Sequence, residues 1–243
     1  MESSETWQWS NLTKGVLTRA KDNTFYFYGK RCLDVVLAGS LLLVLLPLMV
    51  VIAILIWLDT PGPIFYIQER VGTRRRSRGG QIMWEIQNFR MYKFRSMVHN
   101  ADPALHIAYI KAFVGGSAEP TQVGGPAFKL TNDPRITRIG RILRKTSMDE
   151  LPQLINVLKG DMSLVGPRPV PVYEVAEYQD WHHERLATLP GITGLWQTQG
   201  RCQVSFEEMI RMDIDYVHRQ SFWLDLKLMV LTIPAVLLGR GAE

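Results

Sequence analysis

Cysteine is scarce in this sequence: its 243 residues hold two, Cys32 and Cys202, far apart and in no C-x-x-C spacing. Neither a disulfide framework nor a zinc site is indicated, and a reducing compartment is the default. Internal repeats and low-complexity tracts are also missing, so repeat architectures are set aside. Nor is there an acidic excess. With 28 Lys plus Arg against 23 Asp plus Glu, the net charge is +5, which suits nucleic acid, nucleotides or lipid headgroups without ranking them. The length allows one large domain or two small ones with a real core.

Charge is most conspicuously missing from "VVLAGSLLLVLLPLMVVIAILIWL", the 24 residues from Val35 to Leu58. As a straight helix this run is ~36 Å long, against an apolar bilayer core of ~30 Å. Some 30 polar and aromatic residues precede it and no small-residue cleavage site follows, so it does not read as a cleavable signal. Lys30 and Arg31 stand before it, and Arg70, Arg74, Arg75, Arg76 and Arg78 stand after it. Basic flanks are normally cytoplasmic, so both ends read as cytoplasmic. Pro47, midway, removes a helix hydrogen bond and can turn the chain back within one leaflet. A spanning helix with a proline kink is the other reading these residues allow. Near the C-terminus, Leu228 to Gly239 is uncharged but too short to cross. With Trp223 and Lys227 at its start it reads as an interfacial helix, a core helix being the alternative.

Between Asp59 and Met97, "TPGPIFYIQERVG" alternates apolar positions after turn residues, "RRRSRGGQ" reads as a loop, and "MYKFRSM" follows; a short hairpin is expected. Residues 114–126 are rich in Gly and Pro and read as a loop. In "RITRIGRILRK", Ile136, Ile139, Ile142 and Leu143 form a helical apolar stripe, with Arg135, Arg138, Arg141 and Arg144 on another face.

The stretch "KTSMDELPQLINVLKGDMSLVGPRP" sets Asp149 and Glu150 at the mouth of an apolar helix. Pro152 is cheap only in a first turn, so the helix is expected to start near Met148 to Glu150. There the positive helix end favours the ionised form of Asp149 and its free amides can meet a phosphate. Ser147 and Glu150 also match a capping box, a purely structural alternative. Arg168 stands between two prolines, a rigid mount suited to phosphate recognition, and Arg201 follows another Gly- and Pro-punctuated loop.

In order, "KFRSM", "NDPRITRIGRILRKTSMDELPQLINVLKGDMSLVGPRP", "PGITGLWQ" with a following "GR", and "MDIDYV" leading to "SFWLDLKL" resemble the bacterial sugar transferases known as monotopic phosphoglycosyl transferases. The resemblance runs from about Lys30 to Arg240. It implies a mainly α fold with a small β element: an N-terminal re-entrant helix broken at Pro47, and interfacial amphipathic helices on the cytoplasmic face of the bacterial inner membrane. Residues 1–29 then form an N-terminal extension, 30–58 the membrane helix and 59–243 the cytoplasmic catalytic domain.

The implied activity moves a sugar-1-phosphate from a UDP-sugar to polyprenyl (undecaprenyl) phosphate, with UMP as the other product, as the first membrane step of glycan assembly. Carried over residue by residue, Asp149 is the nucleophile and Glu150 its partner at a Mg²⁺ ion. Lys93, Arg144, Arg168 and Arg201 are expected around the phosphates, and Asp213 and Tyr216 either touch ligand or are structural. The implied partners are the two substrates and membrane lipids, not nucleic acid, and a homodimer is allowed. Two features depart from the family pattern: the segment between Gly72 and Lys93 is long, and the N-terminus lacks a multi-helix membrane region. Two other classes remain on the residues alone: a membrane-tethered binder of nucleic acid or anionic lipid, and a metal-dependent hydrolase.

Overall fold

The computed structural model describes residues 17–18, 23–78, 81–115, 133–199 and 204–237. These residues are mostly helical, with one four-stranded and one two-stranded sheet. After a short strand β1 (Leu17–Thr18), helix α1 (Thr24–Asp59) begins where the Asn23 side chain accepts the Tyr26 amide at 3.1 Å. Its 36 residues, ~54 Å if straight, are long and apolar enough to cross a membrane. The helix continues through Pro47, whose missing amide leaves the Leu43 carbonyl without its usual bond.

Burial along α1 is confined to its two ends. Tyr26, Lys30, Asp34 and Ala38, four residues apart, face the body at the start, and Met49, Ile52 and Ile56 face it at the end. Asp34 accepts the Leu164 amide at 3.0 Å and Arg31 caps carbonyls of Val157 and Leu158. At the other end Asp59 accepts the Ile139 amide at 3.2 Å, and Arg95 donates to carbonyls of Ile56, Thr60 and Pro61. Between them Leu43, Val44 and Leu46 are exposed, while Leu42 packs against the core clusters at both ends.

The expected short hairpin is a long one. Strands β2 (Phe65–Arg78) and β3 (Gln81–Phe94) have 14 residues each and pair antiparallel from Phe65↔Phe94 to Arg78↔Gln81. The arginines read as a loop belong to β2, because an exposed antiparallel ribbon carries charge on its faces; Arg76 pairs with Glu85 at 3.0 Å. β1 extends the β3 edge, and β5 (Val170–Pro171) extends β2 at Arg70 and Val71.

Helix α2 (Ala104–Val114) precedes the loop expected at 114–126, of which residues beyond Gly115 lie outside the described ones. Helix α3 (Arg138–Lys145) is capped by Thr137. Its apolar stripe is only partly realised, since Leu143 is buried but Ile142 is exposed. Gly140 lets α3 lie on the chain after β3, where a Cβ would come within 2.0 Å of the Ser96 carbonyl oxygen.

A 3-10 turn at Met148–Glu150 then leads into α4 (Gln153–Lys159). The α-helix therefore starts after the acidic pair and not at it. Pro152, which lacks an amide to donate, occupies its cap position. Asn156, fully buried, ties α4 to β3 by donating to the Arg90 carbonyl at 2.7 Å and accepting the Tyr92 amide at 3.0 Å.

Strand β4 (Ser163–Val165) runs parallel to β6 (Gly191–Thr193), with α5 (Val172–Val175) and a second 3-10 stretch between them. Helices α6 (Leu195–Gln199), α7 (Phe206–Arg219) and α8 (Phe222–Leu237) complete the described chain. α8 turns Asp225 and Leu228 inward and leaves Trp223, Leu226, Val230 and Ile233 exposed, an apolar stripe at helical spacing. Inside, Asp225 accepts from Tyr26, Lys30 and Tyr216 at 2.7 Å each, locking α1, α7 and α8 together.

Candidate functional site

A cavity of about 1280 Å³ opens between α1, the hairpin, α3, the 3-10 turn and α8. Its two ends differ in chemistry. Leu37, Leu41, Leu45 and Leu48, at helical spacing on α1, face Met229 and Ile233 of α8 across an apolar end. Arg70, Lys93, Arg144, Asp149, Glu150 and Arg168 line the polar end.

The acidic pair is presented by backbone conformation. Ser147 adopts φ +56°, a left-handed value that L residues seldom hold, immediately before the turn. Its side chain makes no cap hydrogen bond, so the capping box that Ser147 and Glu150 allowed as an alternative is not formed. The reason is geometric: an N-cap needs extended backbone, and Ser147 has turned the other way.

Lys93, near the end of β3, donates to Glu150 Oε1 at 2.7 Å and stands 3.9 Å from Asp149 Oδ2. Arg168 reaches the same Glu150 oxygen at 3.1 Å. Glu150 is thus bound by two cations. Arg144 lines the cavity, and its guanidinium makes no hydrogen bond among the described residues. Burial lowers its guanidinium from the ordinary value, and the charges of Asp149 and Asp133 oppose that shift.

The fold therefore brings together Asp149, Glu150, Lys93, Arg144 and Arg168. Arg201 lies outside the described residues. Asp213 and Tyr216 are fully buried and do not line the cavity. Asp213 pairs with Arg185, and burial pushes its carboxyl up to about 6 while Arg185 pulls the other way. Tyr216 donates to Asp225 at 2.7 Å and to the Val165 carbonyl at 3.2 Å.

Sequence reasoning counted Arg70 only as part of a basic flank and passed over His106 and Tyr173; all three also line the cavity. Tyr173 and His106 meet at 2.7 Å. Burial, with the charges of Arg70, Arg135 and Arg144, pulls His106 down to about 4, and burial raises Tyr173 to about 12, so both stay neutral near pH 7. Only Arg70 carried a hint: in "YIQERVG", Gln68 and Arg70 alternate onto one strand face.

Two adjacent carboxylates offer hard oxygen donors of the kind Mg²⁺ prefers, and no cluster of three or more His, Cys, Asp or Glu able to hold a metal occurs among the described residues. That set fits an ion that takes one or two carboxylates and completes its shell with water and substrate phosphate. It does not fit a closed structural metal site.

The family model for bacterial sugar transferases matches residues 25–239. The chain is 39% identical over 213 residues to the exopolysaccharide production protein ExoY of Rhizobium meliloti (strain 1021), covering 88% of this chain and 87% of that protein. It is 45% identical over 183 residues to the galactosyl transferase CpsE of Streptococcus agalactiae serotype III, 75% of this chain and 36% of that one. Over 213 residues it is 41% identical to the undecaprenyl-phosphate galactose phosphotransferase of Salmonella typhimurium, 88% of this chain and 41% of that protein. It thus spans most of ExoY's length but well under half of the two longer relatives.

Proposed function

Because the chain belongs to the bacterial sugar transferase family, we propose that it transfers a sugar-1-phosphate from a UDP-sugar to undecaprenyl phosphate, releasing UMP, as the initiating membrane step of a polysaccharide. The observation that carries this reading is the two-ended cavity. A leucine wall on an apolar helix and a cluster of arginines around two carboxylates share one space, which suits a lipid-borne phosphate and a soluble nucleotide meeting there. Relatives named for undecaprenyl phosphate support the acceptor, and those named for UDP-sugars support the donor.

The chemistry proceeds by two displacements. An Asp149 carboxylate oxygen bonds to the sugar-bearing phosphorus, the anhydride P–O bond breaks, and the electron pair leaves on UMP. A phosphate oxygen of undecaprenyl phosphate then attacks that phosphorus and returns Asp149 as carboxylate. Lys93 and Arg168 hold Glu150 in place, and with Arg144 they oppose the charge that builds on the phosphoryl oxygens. When bound through Asp149 and Glu150, Mg²⁺ would neutralise phosphate charge. EDTA should abolish turnover and Mg²⁺ restore it; full activity in chelator would remove the metal from the mechanism.

The same reading places α1 as a re-entrant helix on the cytoplasmic face of the inner membrane. Support comes from its ends, which bond to one body at Leu164 and at Ile139. A straight crossing would separate the two flanks by the ~30 Å apolar core, and Pro47 is a site where the helix can bend instead. The exposed stripe on α8 suits the interface.

Incubation with a panel of UDP-sugars, with and without undecaprenyl phosphate, tests the function. Lipid-linked product with stoichiometric UMP supports the transferase. Sustained sugar phosphate release without the lipid would establish a hydrolase.

A further inference from the structure

Arg70 lines the cavity yet has no carboxylate within ion-pair distance among the described residues. Its three hydrogen bonds go to neutral acceptors: Nε and Nη2 to Gln68 Oε1 at 3.1 and 2.6 Å, and Nη1 to the Pro169 carbonyl at 3.1 Å. The acidic side chain that its charge feels, Glu174, is taken up elsewhere, accepting from Tyr178 at 2.9 Å and standing 3.7 Å from Arg185. Burial disfavours the Arg70 cation and the like charge of Arg168 adds to that. A guanidinium nevertheless stays protonated. A cation held against desolvation and against a second cation, with its fork fixed by neutral groups, is what an anion site looks like before the anion arrives.

Its position narrows which anion. Tyr66, Gln68 and Arg70 alternate onto one face of β2, and Lys93 lies directly opposite Tyr66 on the same face. Arg70 is four residues, ~13 Å, further along the strand, and the bond to Gln68 draws its guanidinium back into that interval. The transferred phosphorus must lie against Asp149, which Lys93 adjoins. The remainder of the donor is left to extend along the face toward Arg70. There the neutral Tyr173 and His106 pair, 2.7 Å apart, offers hydrogen bonding without further charge.

We propose that Arg70 binds the nucleoside monophosphate half of the donor through the phosphate that departs, with Gln68 as the residue that positions it. This rests on the transferase reading above and adds to it a site for the leaving group. Arg70 then steadies the negative charge that UMP gains as the anhydride bond breaks.

The decisive variant is Gln68→Glu. It puts a carboxylate where the neutral acceptor stands, so the hydrogen bonds persist while Arg70 acquires an internal counter-ion in competition with phosphate. UMP itself is the probe, titrated calorimetrically into the full chain in detergent and used as a product inhibitor. Gln68→Glu and Arg70→Ala should each weaken UMP binding roughly tenfold or more, on the scale of a lost charge-assisted contact. Donor KM should rise in step, and the melting temperature of Gln68→Glu should stay at or above that of the wild type. If Arg70 merely pinned the Pro169 peptide, Gln68→Glu would hold it as well or better and UMP affinity would not change; that result overturns the proposal and leaves the transferase intact. A wild type that neither binds UMP nor releases it from any UDP-sugar overturns both. Should Arg70→Ala fail to fold, Gln68→Glu alone decides.

Discussion

Replacing Asn156 with alanine tests whether the acidic turn is held by packing or by one side chain. Asn156 is fully buried and serves two strand groups at once, the Arg90 carbonyl at 2.7 Å and the Tyr92 amide at 3.0 Å, with Asp161 3.2 Å from its amide nitrogen. Alanine removes the partner of both main-chain groups. Each stranded group costs about 1–3 kcal/mol, and less where water can reach; β3 is part-buried here, so about 2–4 kcal/mol in total is expected. For a protein of this length that corresponds to roughly 4–16 °C in melting temperature. Activity should fall further than stability explains, because Asn156 fixes α4 against the strand bearing Lys93, and Lys93 contacts Glu150 at 2.7 Å. A shift near 1 Å in such a contact can cost on the order of a hundredfold in rate. Thermal denaturation in detergent and UMP release measured well below the midpoint separate the two effects. A midpoint within about 2 °C of the wild type and an unchanged rate would show that the apolar contacts of Leu154 and Val157 hold α4 by themselves.

Asp149→Asn keeps the shape but lacks the anionic nucleophile; given the correct UDP-sugar and Mg²⁺ without lipid, wild type should release about one UMP per site and gain a sugar phosphate on the Asp149 peptide. The variant should show neither, and a wild type that forms no adduct under any condition would favour direct transfer in a ternary complex. Single cysteines at Lys30 and Arg74, in a background lacking Cys32 and Cys202, should both resist an impermeant thiol reagent in intact cells and react after lysis; labelling of one flank before lysis would establish a crossing. His106, held down to about 4 mainly by burial, stays neutral in the folded chain while its unfolded counterpart protonates near 6.5. Its contribution to stability is therefore complete above about pH 6.5 and lost as the pH falls toward 4. Asp213, pushed up to about 6, works in the opposite sense over a similar range, so the difference between wild type and His106→Gln isolates the histidine. That difference should narrow on acidification, and a constant offset in denaturant midpoints across pH 4–7 would contradict it.

The candidate site was legible where its residues lie close together in sequence. Asp149, Glu150, Arg144 and Arg168 fall within 25 residues of one another, and their convergence on the cavity matches the order of the motifs. It was not legible where strand register decides. Arg70 enters because β2 pairs with β3 so as to set Tyr66 against Lys93 and because β5 adds beside it; none of those pairings is written in local spacing. Arg74, Arg75 and Arg76 were misread for a related reason. Runs of arginine resemble loops by composition, yet an exposed ribbon tolerates them, particularly with Glu85 across the strand. Ser147 failed as a cap because the pattern of a capping box says nothing about backbone sign, and its φ of +56° excludes the box.

Adjacent residues are about 100° apart around an α-helix and about 120° apart around a 3-10 turn, so neither backbone by itself aligns Asp149 with Glu150. The two carboxylates are joined by Lys93, which stands 2.7 Å from Glu150 Oε1 and 3.9 Å from Asp149 Oδ2. Lys93 belongs to the hairpin, Arg168 to the segment before β5, and the carboxylates to the turn before α4, so the cluster forms only when three separate parts of the chain have packed. Asn156 joins two of them and Arg70, through the Pro169 carbonyl, joins the third. A site assembled in this way is sensitive to substitutions that touch no substrate, and the positions where that sensitivity should be greatest are the buried polar side chains that cross between elements, not the larger apolar residues around them.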